Sequence, residues 1–280
     1  MVDPAAHFKP NQQVSFQVLE KSIGQTMGSN LATVRRWQGM RSKDAALKLG
    51  LHPSTYHSYE TGQAMLPNHV VARWSAVMGI PPHFLLKNTR YSSNIPLEER
   101  GKLIEKIQPF IGLQTEMEFE VFVRDICLFT KQPLPDFQEV ELRSRMLDQN
   151  FPNTVSEEVN DDLYGYVAEN LRSMRQKIQL SQQKMSELLQ ISDHIYRRIE
   201  NLSKPTKFQF ILSPRWWMAT GIHPVHLIEH SHYSDLRRYQ SARLAILNRV
   251  LTSVNLQAYP EIVQYAKAMS ALRQSLESIG

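Results

Sequence analysis

The sequence holds a single cysteine, Cys127, in 280 residues. One thiol excludes an intrachain disulfide framework, and it excludes a zinc finger built on cysteine pairs. Cys127 stands among Val121, Phe122, Val123, Ile126, Leu128 and Phe129, so it reads as a core thiol rather than a nucleophile. No apolar run reaches the roughly 18 residues of a membrane helix, so no spanning segment is expected. The opening MVDPAAHFKPNQQ lacks the apolar centre of a signal peptide. The expectation is a protein that stays where it is made. Period-two alternation is missing throughout, which excludes sheet and leaves an all-α chain. Neither sign of charge dominates strongly. A net charge of +5 and a pI near 9.2 are mildly basic and compatible with a polyanionic partner. With 42% apolar and 21% charged residues the chain is globular, and it is long enough for two domains of ordinary size.

What is present centres on Met40–Gly62, MRSKDAALKLGLHPSTYHSYETG. It reads as two short helices and a tight turn. Ser42 is placed as the cap of the first helix, with Ala45, Ala46 and Leu49 on its apolar side. Gly50 sits where a left-handed C-cap is needed, and Leu51 re-enters the core. Pro53 opens the second helix, where its missing N–H costs nothing, and Gly62 stops it after Thr61. This is the pattern of a helix-turn-helix, whose second helix enters the DNA major groove.

The same stretch returns 140 positions later as Leu180–Leu202, LSQQKMSELLQISDHIYRRIENL. Leu49, Tyr56 and Glu60 match Leu189, Tyr196 and Glu200. Upstream, Asn30, Leu31 and Arg35 match Asn170, Leu171 and Arg175. Downstream the offset becomes 142: Arg73, Trp74, Gly79, Ile80, Pro82 and Leu85 match Arg215, Trp216, Gly221, Ile222, Pro224 and Leu227, and Tyr91-Ser92 matches Tyr233-Ser234. A register held over about 65 residues with one short insertion reads as an internal duplication.

Five divisions follow. Residues 1–13 form an arm, and 14–92 the first helix-turn-helix domain. Residues 93–155 are a helical linker, packing or dimerisation segment, 156–233 the second helix-turn-helix domain, and 234–280 a C-terminal helical segment. Within them, Val14–Ile23 is a lead-in helix and Asn30–Gln38 the first helix of the first unit, with Leu31, Val34 and Trp37 at helical spacing. Asn68 caps the fourth helix, and Pro81-Pro82 start the fifth. Tyr91–Pro96 reads as a linker, followed by helices over Leu97–Gln108, Thr115–Phe129 and Asp136–Gln149, punctuated at Pro109, Pro133-Leu134-Pro135 and Pro152. The acidic, polar stretch Pro152–Asp162 reads as the boundary between halves. The second unit repeats the scheme, with a first helix over Leu163–Ile178, the helix-turn-helix over Ser181–Asn201, and further helices from Ser213-Pro214 and Pro224. Trp74 and Trp216, apolar and repeated, are core.

Met27–Gly62 resembles the lambda-repressor/Cro-like (XRE-type) helix-turn-helix family in the pattern Leu-x-x-x-Arg, Ala-x-x-Leu-Gly-Leu and Ser-Thr-x-x-x-x-Glu-x-Gly. The resemblance covers Met27–Leu86, and a looser copy covers Val167–Ile228. In that copy Gln190 replaces the turn glycine, Ser186 stands at the Ala46 position and Leu202 at the Gly62 position. The second unit is then either a working reader with a strained turn or a degenerate copy kept for packing.

The resemblance implies two structural ion pairs, Arg35–Glu60 and Arg175–Glu200. It implies base or phosphate contacts by Ser42, Ser54, Thr55, His57 and Ser58 in the first unit, and by Gln182, His194, Arg197 and Arg198 in the second. Arg41, Lys43, Lys204 and Lys207 are the phosphate-contact candidates, which fix position rather than sequence. Hydroxyls and an imidazole face two arginines, so the two subsites in one chain are expected to be non-palindromic, with any guanine preference from the second.

A competing motif is His226-Leu-Ile-Glu229-His230, which reads H-x-x-E-H, a zinc protease signature. It falls on the fifth helix of the second repeat, where His226 matches Phe84, an aromatic core position.

The leading expectation is a double-stranded-DNA-binding regulator of transcription, not an enzyme, in the cytoplasm on the nucleoid. No cofactor and no metal are expected. A homodimer, and a protein partner from the transcription machinery or its regulators, complete the partner expectations. The alternatives are a helical interaction adaptor derived from DNA-binding units and, third, a zinc-binding protein or metalloprotease through His226, Glu229 and His230.

Overall fold

A computed structural model of the chain describes residues 15–20, 22–92, 101–147 and 153–277. The expected arm at 1–13 and most of the expected linker after Tyr91 lie outside them. Among the described residues the molecule is all helical, with α-helices α1 to α15 and no strand. No helix among these residues is long and apolar enough to cross a membrane.

The first unit comprises α2 (Ile23–Trp37), α3 (Ser42–Lys48), α4 (Pro53–Glu60), α5 (Asn68–Met78) and a 3-10 helix (Pro82–Leu86), preceded by the short α1 (Phe16–Leu19). The same order recurs as α10 (Leu163–Lys177), α11 (Gln182–Leu189), α12 (Asp193–Ile199), α13 (Leu212–Thr220) and a 3-10 helix (Pro224–Ile228), preceded by α9 (Asn153–Asp161). Equivalent details recur as well. Asn30 Nδ2 donates to the carbonyls of Leu85 and Lys87, and Asn170 Nδ2 donates to those of Leu227 and Glu229. Gly79 and Gly221 both end their helices in the left-handed region, at φ 66° and 74°.

The helices do not build two cores in the order of the chain. One apolar core takes residues from both units, including Tyr56, Trp74, Tyr196 and Trp216, together with Val155 and Val159 of α9. A second core is made where α6 (Lys102–Ile111), α7 (Glu116–Thr130) and α8 (Gln138–Ser144) meet α14 (His232–Thr252) and α15 (Tyr259–Glu277). The helices that follow each unit thus cover one another within the chain. Helix α14 belongs to both cores, with Leu236 in the first and Leu244, Leu247 and Val250 in the second. Arg243 fixes it in place. Its guanidinium donates to the carbonyls of Ile111 (2.8 Å) and Gln114 (2.9 Å), and it lies 4.2 Å over the Phe119 ring. Those carbonyls stand at and just beyond the C-terminus of α6, where a cation is favoured.

Several local expectations are corrected. Ser42 does not cap α3: Arg41 is the N-cap, and Ser42 is the first helical residue. Asn68 likewise follows the N-cap Pro67 and makes no side-chain cap. Helix α2 starts at Ile23, because Ile23 and Met27 continue the buried stripe of Leu31 and Val34. Trp37 is 39% exposed and leans on Phe110 instead of entering the core. Pro109 lies inside α6, because Ile107 and Ile111 are both buried and keep the helix running through it. Tyr91 is buried, not part of a linker, and its hydroxyl donates to Glu20. Residues 153–161 form a helix, and the Glu158 carboxylate accepts the N–H groups of His232 and Tyr233 at the start of α14.

Candidate nucleic-acid interface

In the first unit, α4 follows a turn made by Gly50 at φ 62°. His52 caps it, its ring accepting the Ser54 N–H, and Pro53 takes the first helical position. Tyr56 and Tyr59 face inward, three apart, so the opposite side is left outward. That side carries Ser54 and His57, exposed, and Thr55 and Ser58, half-buried. The Ser58 hydroxyl donates back to the Thr55 carbonyl at 2.8 Å, and Ser54 Oγ lies 2.7 Å from His52 Nδ1. Ser42 is half-buried at the start of α3 and Lys43 is exposed. Arg41 is exposed and pairs with Asp44 at 2.7 Å.

In the second unit, Ser192 caps α12 by accepting the Ile195 N–H. Tyr196 and Ile199 are buried, while His194, Ile195, Arg197 and Arg198 are exposed. Arg197 Nε is 2.8 Å from Asp193 Oδ2 on the preceding turn. The Gln182 amide does not face outward freely, because its nitrogen donates to Glu200. Lys204 and Lys207 are exposed on the loop between α12 and α13, where the Asn201 side chain accepts the N–H groups of Ser203 and Lys204.

Both helices are held by the same frame. Arg35 Nε lies 2.6 Å from Glu60 Oε1, and Arg175 Nε 2.7 Å from Glu200 Oε1. Each arginine also donates to the carbonyl five residues on, Met40 or Leu180. Each carboxylate is almost fully covered, which an unpaired charge could not be. Tyr56 and Tyr196 are buried beside the pairs, and burial pushes both phenols far above their ordinary range. Arg73 and Arg215 brace the turns, donating to the carbonyls of Leu49 and Leu189.

Two departures separate the units. Gln190 adopts the left-handed conformation at φ 50° where the first unit has Gly50, and its side-chain oxygen accepts the Phe16 N–H of α1 at 3.0 Å. Helix α4 lies along α2, where a Cβ on Gly28 would come within 2.4 Å of the Tyr59 carbonyl oxygen. Ala168 stands at the matching place in α10.

Ile195 and His52 escaped the sequence reading. Ile195 is apolar and so reads as core, yet it is 49% exposed. The signal was its place beside Tyr196 and off the stripe formed with Ile199. His52 precedes a proline at a helix start, which is a capping position.

The zinc motif does not assemble. The 3-10 helix ends at Ile228, and His230 has left it at φ 70°. His226 Nδ1 instead sits 2.8 Å from Glu229 Oε1. Among the described residues no group of three or more His, Cys, Asp and Glu is arranged to hold a metal ion. Cys127 is buried in the second core, and burial pushes its thiol up.

No curated protein and no solved structure matches the chain. Residues 31–85, from within α2 to the 3-10 helix, match the family described as Helix-turn-helix.

Proposed function

We propose that the chain is a sequence-specific double-stranded-DNA-binding regulator of transcription that reads with two helix-turn-helix units, one in 14–92 and one in 156–233. The observation that carries this reading is the recurrence of one frame around two outward polar helices. An ion pair of 2.6 Å or 2.7 Å ties each first helix to the end of each reader. The family match supports the first unit and the internal correspondence supports the second.

The first reader offers Ser54, Thr55, His57 and Ser58 from α4, with Ser42 beside them. The second offers His194, Arg197 and Arg198, with Ile195 as an apolar contact for a thymine methyl group. With Nε held by Asp193, Arg197 keeps its terminal nitrogens for a guanine edge, and Arg198 is exposed beside it. Gln182 acts chiefly by extending the Arg175–Glu200 pair. Arg41, Lys43, Lys204 and Lys207 neutralise phosphates, which makes affinity fall with salt.

The test is selection of bound sequences from random duplex DNA, with Arg197→Ala/Arg198→Ala beside the unaltered protein. A bipartite motif that loses one half in the variant is the expected result. Failure to enrich any sequence, at low and moderate salt alike, favours the adaptor reading. One observation speaks for that reading: Met117, Val121 and Leu128 form an exposed apolar stripe on α7, at 76%, 44% and 73% exposure.

A further inference from the structure

The two units touch through the loops that follow their readers, and they touch at equivalent residues. With the downstream offset of 142, Leu66, Pro67 and Asn68 correspond to Phe208, Gln209 and Phe210. The Asn68 N–H donates to the Phe208 carbonyl at 3.0 Å, and the Phe210 N–H donates to the Leu66 carbonyl at 2.9 Å. Exchanging the two loops turns one bond into the other. Pro67 and Gln209 form the antiparallel bridge between them, each facing its own counterpart.

A contact in which residue i meets j while j's equivalent meets i's is isologous, and it requires a two-fold relation. Two units stacked head to tail would bring different surfaces together and could not exchange these bonds. The lead-in helices follow the same rule. Helix α1 crosses to the second unit, where Phe16 N–H meets Gln190 and Glu20 pairs with Arg215. Helix α9 crosses to the first unit and packs on α5, the counterpart of α13.

We infer that one chain is a built-in pseudo-dimer that fills a complete operator alone, with two unlike half-sites in inverted orientation. The inference rests on the DNA-binding reading given above. A local two-fold between the units matches the two-fold that relates the strands of B-DNA, so the half-sites run in opposite senses. Their centres are expected about one helical turn apart, roughly 34 Å. The half-sites differ in sequence because hydroxyls and His57 read one and arginines read the other. Asymmetry gives such a site a direction that a homodimer's operator lacks.

The experiment uses the full chain and the two half-motifs recovered by selection. Duplexes carry them in inverted or in direct orientation at each spacing from about eight to twelve base pairs, and titration with native mass spectrometry gives affinity and stoichiometry. The expected result is one chain per duplex, with the best inverted site bound about 100-fold or more tightly than the best direct one, because a direct site engages one reader at a time. Arg197→Ala/Arg198→Ala should erase that ratio while leaving binding to the first half-site. Equal or tighter binding to direct sites overturns the inference and leaves the DNA-binding reading standing, as does a requirement for two chains per inverted site. Absence of binding to every duplex overturns both.

Discussion

The two units share a frame and differ in how the reader is seated. In the first, α4 is pressed onto α2 where Gly28 leaves no room for a Cβ, and the turn before it is a glycine at φ 62°. In the second, Ala168 and Gln190 occupy those places, and the turn is instead anchored by α1 through Gln190. The parts that match are the ones where a mismatch would bury an unpaired charge: Arg35 with Glu60, and Arg175 with Glu200. The reading residues, which differ, lie on the outward sides of α4 and α12. Within one molecule, burial of charge holds the frame fixed while the exposed face is free to take up different chemistry.

The comparison is broken most severely at the ion pairs. Glu200→Ala should cost about 3–5 kcal/mol, because it strands a covered arginine. The Glu200 side chain is 1% exposed against 9% for Glu60, so Glu60→Ala should cost less. Denaturant unfolding of both variants checks the order, and equal losses would mean the two frames are equivalent in energy as well as in shape.

Gly28→Ala comes next, at about 1–3 kcal/mol, since the new methyl meets backbone that must shift. The reverse change in the other unit, Ala168→Gly, should cost only about 1 kcal/mol through helix propensity. The first variant should also weaken the half-site read by α4 and spare the other, which a footprint of each half resolves.

Acid should act on one side of the seam. His69 lies next to the bridge, its ring 2.8 Å from the Tyr164 hydroxyl, and burial with Lys207 and Arg73 nearby lowers its pKa to about 4. Its counterpart is Ile211, which cannot titrate. Above about pH 6.5 both folded and unfolded chains carry a neutral imidazole. Between there and pH 4 the unfolded chain takes up a proton that the fold refuses, so stability drops as pH falls. With solvent partly screening the ring, the loss is about 1–2 kcal/mol. Unfolding at pH 7 and pH 4.5 should show a smaller difference for His69→Gln than for the unaltered protein.

The smallest effect is expected at Gln190→Gly. Relief of about 1 kcal/mol of left-handed strain is offset by loss of the bond to the Phe16 N–H, so the change should stay near zero. A clear gain in stability would mean that the bond to the Phe16 N–H contributes nothing.

Much of the helical order was legible because glycines and prolines mark ends plainly. Gly50, Gly62 and Gly79 stop or turn the chain as expected, all at positive φ. The repeat was legible because matched residues kept their spacing. The seam was not, since nothing in Leu66–Asn68 or Phe208–Phe210 signals that two loops bond to one another. Residues 153–161 read as a polar boundary because Val155 and Val159 are only two apolar positions among polar ones, yet both are buried. Tertiary contact decided there, as it did at Pro109. Among the reader residues, the sequence alone could not show that Gln182 turns to Glu200.

The exchange of α1 and α9 has a consequence for synthesis. The first unit leaves the ribosome well ahead of the second, but its α5 face is covered by α9 and its α1 docks on α13. The shared core draws on residues from Phe16 to Leu236. Vectorial folding therefore cannot finish the first unit early. The nascent chain carries an open apolar face until α14 has emerged, and the two halves close in one late step whose long-range contacts make it slow.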